Sequence, residues 1–177
     1  NAYPQRRTIV LGAGTDLVAL QSSIVDDTLW GDSDGLLEAG EHVKVGVQLQ
    51  NMGSVSATGV SAVLNSHDPL VSVNPVAATA NYGDIAPGGS AWGIPMYEIT
   101  VDPAAPGGHL TQLDLVVSSG SKTWTSLVEL EVKGSAMRYL STVFGGPGGS
   151  PDPGETGTLT VSLANDGNGS ALGLTGV

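Results

Sequence analysis

Hydrophobic and polar residues alternate along much of this chain with a period of two. Val43, Val45, Val47 and Leu49 alternate with Lys44, Gly46, Gln48 and Gln50. Leu159, Val161 and Leu163 alternate with Thr158, Thr160 and Ser162, and Thr111, Leu113, Leu115 and Val117 form another apolar row. Trp124, Val128, Leu130 and Val132 stand opposite Thr125, Leu127, Glu129 and Glu131. This is the period of a strand with one face buried, and no segment carries a sustained 3.6-residue stripe. The spacing predicts strands near 16–25, 42–51, 57–64, 70–73, 78–83, 94–101, 109–118 and 122–132. Turn residues punctuate them at Asn51-Met-Gly53, His67-Asp-Pro69, Gly83 to Gly89, Asp102 to Gly108 and Ser119-Gly-Ser121. The expected fold is all-β, an antiparallel β-sandwich of immunoglobulin-like type.

The chain repeats itself. Residues 38–63 slide 114 positions onto 152–177 without a gap, with ten of the 26 positions identical. The identities include Gly40/Gly154, Glu41/Glu155, Val47/Val161, Leu49/Leu163, Asn51/Asn165, Gly53/Gly167 and Ser56/Ser170. The reading that follows is a linker or joining strand over 1–14, a sandwich over 15–133, and the first strands of a second repeat over 136–177. The short run Thr8-Ile9-Val10-Leu11 is β-like and suited to closing a neighbour's sheet. The second repeat reaches only its second or third strand, so the continuing chain or a neighbouring copy is expected to supply the rest. The opening Asn1-Ala-Tyr-Pro-Gln5 has neither an initiator Met nor a signal-peptide core, as expected of a processed piece of something longer.

Composition narrows the function. Acidic residues outnumber basic ones 17 to 6, for a formal net charge of −11. Such a surface repels nucleic acid and anionic membranes and attracts divalent cations. There is no cysteine, which removes disulfides and thiolate metal sites. No stretch approaches the roughly 18 apolar residues of a membrane span.

The richest chemistry lies in Asp26-Asp-Thr-Leu-Trp-Gly-Asp32-Ser-Asp34-Gly-Leu-Leu-Glu38-Ala-Gly-Glu41. Ca²⁺ takes six to eight oxygens from carboxylates and backbone carbonyls on a flexible loop. The D-x-D-G run offers two carboxylates and a glycine for the turn, and a following Glu can close the shell. Asp32 and Asp34 are the first candidate ligands, then Asp27 and Glu41, with Leu36 offering its carbonyl. Asp26 and Glu38 rank lower. The competing reading is a solvated acidic turn. The second copy has a shorter loop without the Asp pair, so weak or no binding is expected there. Gly-Glu is kept in both copies, which points to a structural task for this Glu at the strand entrance, bonding local amides.

Other motifs are cheap matches. Gly31-Asp-Ser33-Asp-Gly35 spells a nucleophile elbow, but its Ser stands between two carboxylates and no helix follows. Ser119-Gly-Ser-Lys122 falls in a hairpin turn, and Gly12-Ala-Gly14 lacks its third glycine. His42, His67 and His109 are far apart and read as turn or surface histidines. Trp92 and Trp124 read as core or sheet-edge aromatics, and Asn168-Gly-Ser170 is a glycosylation sequon in a turn.

Taken together, Asp32 to Glu41, Val45 to Gly53, Ala57 to Leu64, Ser66 to Val73 and Tyr82 to Gly88 resemble bacterial and archaeal immunoglobulin-like modules of the CARDB type. Such modules occur in surface proteins and beside secreted gingipain-type peptidases. Where that family usually has Asp-Pro, the first copy carries Glu38-Ala39, while the second keeps Asp152-Pro153. The resemblance implies an extracellular, structural or adhesive module and no enzyme. The expectation is a non-catalytic repeat of an extracellular filament or large surface protein, stabilised by calcium, with copies of itself as partners. A surface glycan or protein ligand is a further partner class. The alternatives are an accessory domain of a secreted hydrolase and a carbohydrate-binding module using Trp30 or Trp92.

Overall fold

A computed structural model describes residues 17–146, 148–171 and 174–175. Thr8 to Leu11 and the rest of the expected joining strand lie outside the described residues. The chain is all-β, with antiparallel sheets stacked as a sandwich. In order the strands are β1 (Val18–Asp26), β2 (Leu37–Glu38), β3 (His42–Asn51), β4 (Ala57–Ser66), β5 (Val71–Val73), β6 (Thr79–Ile85) and β7 (Ser90–Trp92). There follow β8 (Tyr97–Val101), β9 (Leu113–Ser119), β10 (Lys122–Val128), β11 (Val132–Lys133), β12 (Met137–Gly145) and β13 (Thr158–Asn165).

One sheet runs β1-β3-β8-β5, with β7 also on β3, and the other runs β10-β9-β4-β6. The period-two rows meet between them. Val43, Val45, Val47 and Leu49 from β3 face Leu113, Leu115 and Val117 from β9 and Val60, Ala62 and Leu64 from β4, all in one buried cluster. Each such Val or Leu contributes about 1.5–3 kcal/mol on leaving water. A Leu49→Ala change would cost about 2–5 kcal/mol through the cavity it leaves.

Three strands are shorter or more divided than the periodicity predicts, each for a visible reason. The run expected over 94–101 begins at Tyr97, because Ile94 crosses to the other sheet and exchanges both backbone hydrogen bonds with Asn81. The runs over 109–118 and 122–132 keep their alternation, but the ladder breaks at Gln112. There the Asp68 carboxylate takes the Gln112 amide, and pairing resumes between Leu110 and Glu131. Beyond that break β11 pairs in parallel with β2, Val132 opposite Leu37 and Lys133 opposite Glu38. Neither two-residue strand was expected.

The second copy forms a hairpin that reproduces β1 and β3 residue for residue. In the first unit Gln21 bulges between the pairs Leu20↔Leu49 and Ser22↔Gln48. In the second, Leu140 bulges between Tyr139↔Leu163 and Ser141↔Ser162. Leu163 and Ser162 are Leu49 and Gln48 moved by the repeat interval, so the two bulges are equivalent. Gly40 and Gly154 match as well, with φ of 85° and 86°, the left-handed region that glycine adopts without penalty. One property differs. Leu159, Val161 and Leu163 are exposed in the hairpin, while Val45, Val47 and Leu49 are buried.

Candidate metal site at the acidic loop

The loop between β1 and β3 folds around one side chain, Asp27, which is 1% exposed. Its Oδ2 accepts from the Asp34 amide at 3.0 Å and its Oδ1 from the Gly35 amide at 3.1 Å. Its carbonyl accepts from the Gly31 amide at 2.7 Å. Asp32 and Asp34 each cap a nearby amide, those of Asp34 and Leu36. Between them Ser33 takes a positive φ of 68°, so the elbow-like motif is a tight surface bend between carboxylates. Trp30 anchors the outside of the loop by stacking on His42 of β3, centroids 4.1 Å apart, with the Lys44 ammonium 5.4 Å from its ring.

These bonds gather the carboxylates into two overlapping triads, Asp27–Asp32–Asp34 and Asp32–Glu38–Glu41. Within each, one oxygen per residue lies within 4.8 Å of the others. Oxygens on opposite sides of a Ca²⁺ ion stand about 5 Å apart, so each triad has the span of part of a coordination shell. Of the residues expected as ligands, Asp27, Asp32, Asp34 and Glu41 are brought together. Leu36 takes part through its amide, which donates to Asp34, and among the described residues no side-chain contact of its carbonyl is seen. Asp26 turns away to the Thr28 hydroxyl and amide, and those bonds lower its pKa. Glu38, ranked low from the sequence, joins the cluster. It sits on β2, held there by the parallel pairing to β11, and only its departure from Asp-Pro marked it in the sequence.

The electrostatics favour a cation. Burial raises the pKa of Glu41, opposed by the Glu38 amide that it accepts and reinforced by Glu38, Asp27 and Asp32. Burial raises that of Glu38 too, opposed by a bond from the Ser170 amide and reinforced by Asp34, Asp32 and Asp27. Among the described residues, no ion pair reaches either triad. A hard divalent cation would relieve this repulsion, and the all-oxygen donor set fits calcium.

The kept Gly-Glu pair does bond a local amide. Glu41 Oε2 accepts from the Glu38 amide at 2.9 Å, and Glu155 Oε2 accepts from the equivalent Asp152 amide at 3.1 Å. The second loop has no counterpart of Asp32 or Asp34. The three histidines are dispersed. His42 stacks on Trp30, His67 pairs with Asp114 at 3.1 Å, and His109 pairs with Asp68 at 2.7 Å.

The acidic loop also meets the second unit, which the sequence did not reveal. Ser170 donates its amide to Glu38 Oε1 and its hydroxyl to Asp34 Oδ2, the latter at 3.3 Å. Alongside, Asn168 accepts from the Gly134 amide at 3.2 Å and donates to Glu131 at 3.2 Å. No protein-family model matches the chain, and a search of curated proteins found no match. Among the described residues, no helix is long and apolar enough to cross a membrane.

Proposed function

We propose that this chain is a segment of a non-catalytic tandem-repeat protein of immunoglobulin-like type, from an extracellular filament or a large surface or adhesion protein. Calcium at the acidic loop stiffens the first unit and its junction with the next. The observation that carries this reading is the hairpin of β12 and β13, which reproduces β1 and β3 down to the bulge, together with the turn after β13, whose Ser170 rests on the acidic loop. Two oxygens of the acidic cluster thus belong to the junction itself. A cation there would couple the local fold to the relative placement of two units.

Copies of the same protein are the natural partners in this reading. The hairpin face matching the buried core of the first unit is exposed. Further strands, from the same polypeptide or by β-augmentation from a neighbouring copy, are what such a face requires. The test is thermal unfolding of native material in calcium and in excess EDTA, with bound metal read by mass spectrometry. A large loss of stability on chelation, with an ion or more per acidic loop, supports the reading. No bound metal and no shift would end the calcium part. Imaging that showed only dispersed monomers of native material would end the filament part.

A further inference from the structure

The turn that docks on the first unit has a twin, Asn51 to Ser56, for which no such seat is seen among the described residues. Asn165 to Ser170 corresponds to Asn51 to Ser56, and the two differ at Asp166, Asn168 and Gly169 against Met52, Ser54 and Val55, of which the last pair bears on the fit. Inside the turn both residues do the same work. The Val55 carbonyl accepts from the Asn51 amide group at 2.7 Å, and the Gly169 carbonyl accepts from Asn165 at 2.7 Å. Gly169 does not have the positive φ that would demand glycine. The turn therefore folds with valine, as the first unit demonstrates.

The seat is what valine cannot enter. A Cβ placed on Gly169 would lie 2.4 Å from Glu38 Oε1, 2.7 Å from the Gly134 nitrogen and 2.9 Å from the Lys133 carbonyl carbon. Two of those atoms are backbone and have no rotamer to move away. Around them the Gly134 carbonyl takes the amides of both Asn168 and Gly169, at 3.1 and 3.0 Å. Gly169 is buried while most of its turn is exposed. We infer that Asp34, Glu38, Glu131 and Gly134 form a docking seat selective for an Asn-x-Gly-Asn-Gly-Ser turn of an adjacent unit, with position 169 deciding admission. The inference rests on the two units being neighbouring repeats. As a corollary, the first unit's own turn, closed by Val55, does not fit the seat on another copy. Copies therefore do not join head to tail through this surface.

The experiment is NMR of the isotope-labelled 177-residue chain carrying Gly169→Val, beside the unsubstituted chain. Contacts across the seat, between Gly134 and Asn168 and between Glu38 and Ser170, should be lost. Contacts inside the turn, from Ala136 and Gly167 to Asn165, should remain. Seat contacts that survive the valine would overturn the selectivity. Loss of the contacts inside the turn as well would overturn it differently, showing that the glycine serves the turn and not the seat. Neither failure would touch the calcium reading, which the EDTA measurement decides separately.

Discussion

Asn165 holds its turn with three of the four side-chain hydrogen bonds by which Asn51 holds the matching turn of the first unit. Each accepts from the amide two residues on and from the residue before its partner strand, and each donates to the carbonyl four residues on. The fourth bond of Asn51 goes to the Ile85 carbonyl of β6, in the opposite sheet, at 2.9 Å. The same residue type thus staples two sheets in one unit and a turn in the other.

Asn51→Ala should accordingly destabilise the first unit by about 2–4 kcal/mol, since a buried amide group leaves several polar groups unpaired. Asn165→Ala, on an exposed hairpin, should cost under about 1 kcal/mol of global stability. Chemical denaturation of both variants checks the contrast.

The Asp68–His109 contact gives a second prediction. Burial by itself would raise the pKa of Asp68, but bonds from the Leu70 amide, His109 and the Gln112 amide outweigh it and lower the value. A carboxylate held below its unfolded value stabilises the fold above the ordinary range near ~4 and loses that contribution as pH falls through the folded value. His109→Ala should cost about 1–3 kcal/mol near neutrality by stranding a buried charge. The difference from the parent should shrink as pH falls below the ordinary carboxylate range and Asp68 takes up its proton. Urea titrations across pH 3–7 would read both.

The acidic loop should respond to pH in the opposite direction. Glu38 and Glu41 have raised pKa values, so the folded chain holds their protons more tightly than the unfolded chain does. In EDTA their contribution to stability should therefore improve as pH falls from 7 towards 5. Calcium at pH 7 should remove the need for those protons and flatten the profile. Melting curves at several pH values, with and without calcium, measure this. A profile in EDTA that does not rise would count against the cluster as drawn.

Gly31 is the position at which to disturb the cluster with no carboxylate substituted. A Cβ there would lie 2.6 Å from Glu41 Oε1 and 2.7 Å from the Asp27 Cβ. Gly31→Ala should push the two carboxylates apart, lower calcium affinity tenfold or more, and cost about 1–3 kcal/mol by overpacking. Calorimetric titration of calcium into the variant is the check.

Much of the fold was legible because its strands keep one face wet, so polarity alternates wherever a long strand runs. The repeat interval even transferred the register of β3 to β13. What escaped are features carried by too few residues for a period to show. β2 and β11 are two residues each, and Ser90-Ala-Trp92 of β7 has no alternation to read. The cluster around Asp27 was legible from its charge density. The place of Glu38 within it was not, because it depends on β11, which is distant in sequence. The docking of Asn168 and Ser170 was invisible for a related reason, since polar turn residues look alike whether they face water or another unit.

The parallel pairing of β2 and β11 bears on how such a chain would carry load. β11 is the last strand of the first unit, and Gly134 leads directly from it into the next. Tension drawn through Gly134 along the axis of β11 would load its bonds to β2 together, in shear, and would not peel them one at a time. The strand that resists slippage is the one carrying Glu38, inside the acidic cluster. A cation seated there would grip the chain at the point where pulling force enters the unit, and the lifetime of the folded unit under force would track free calcium.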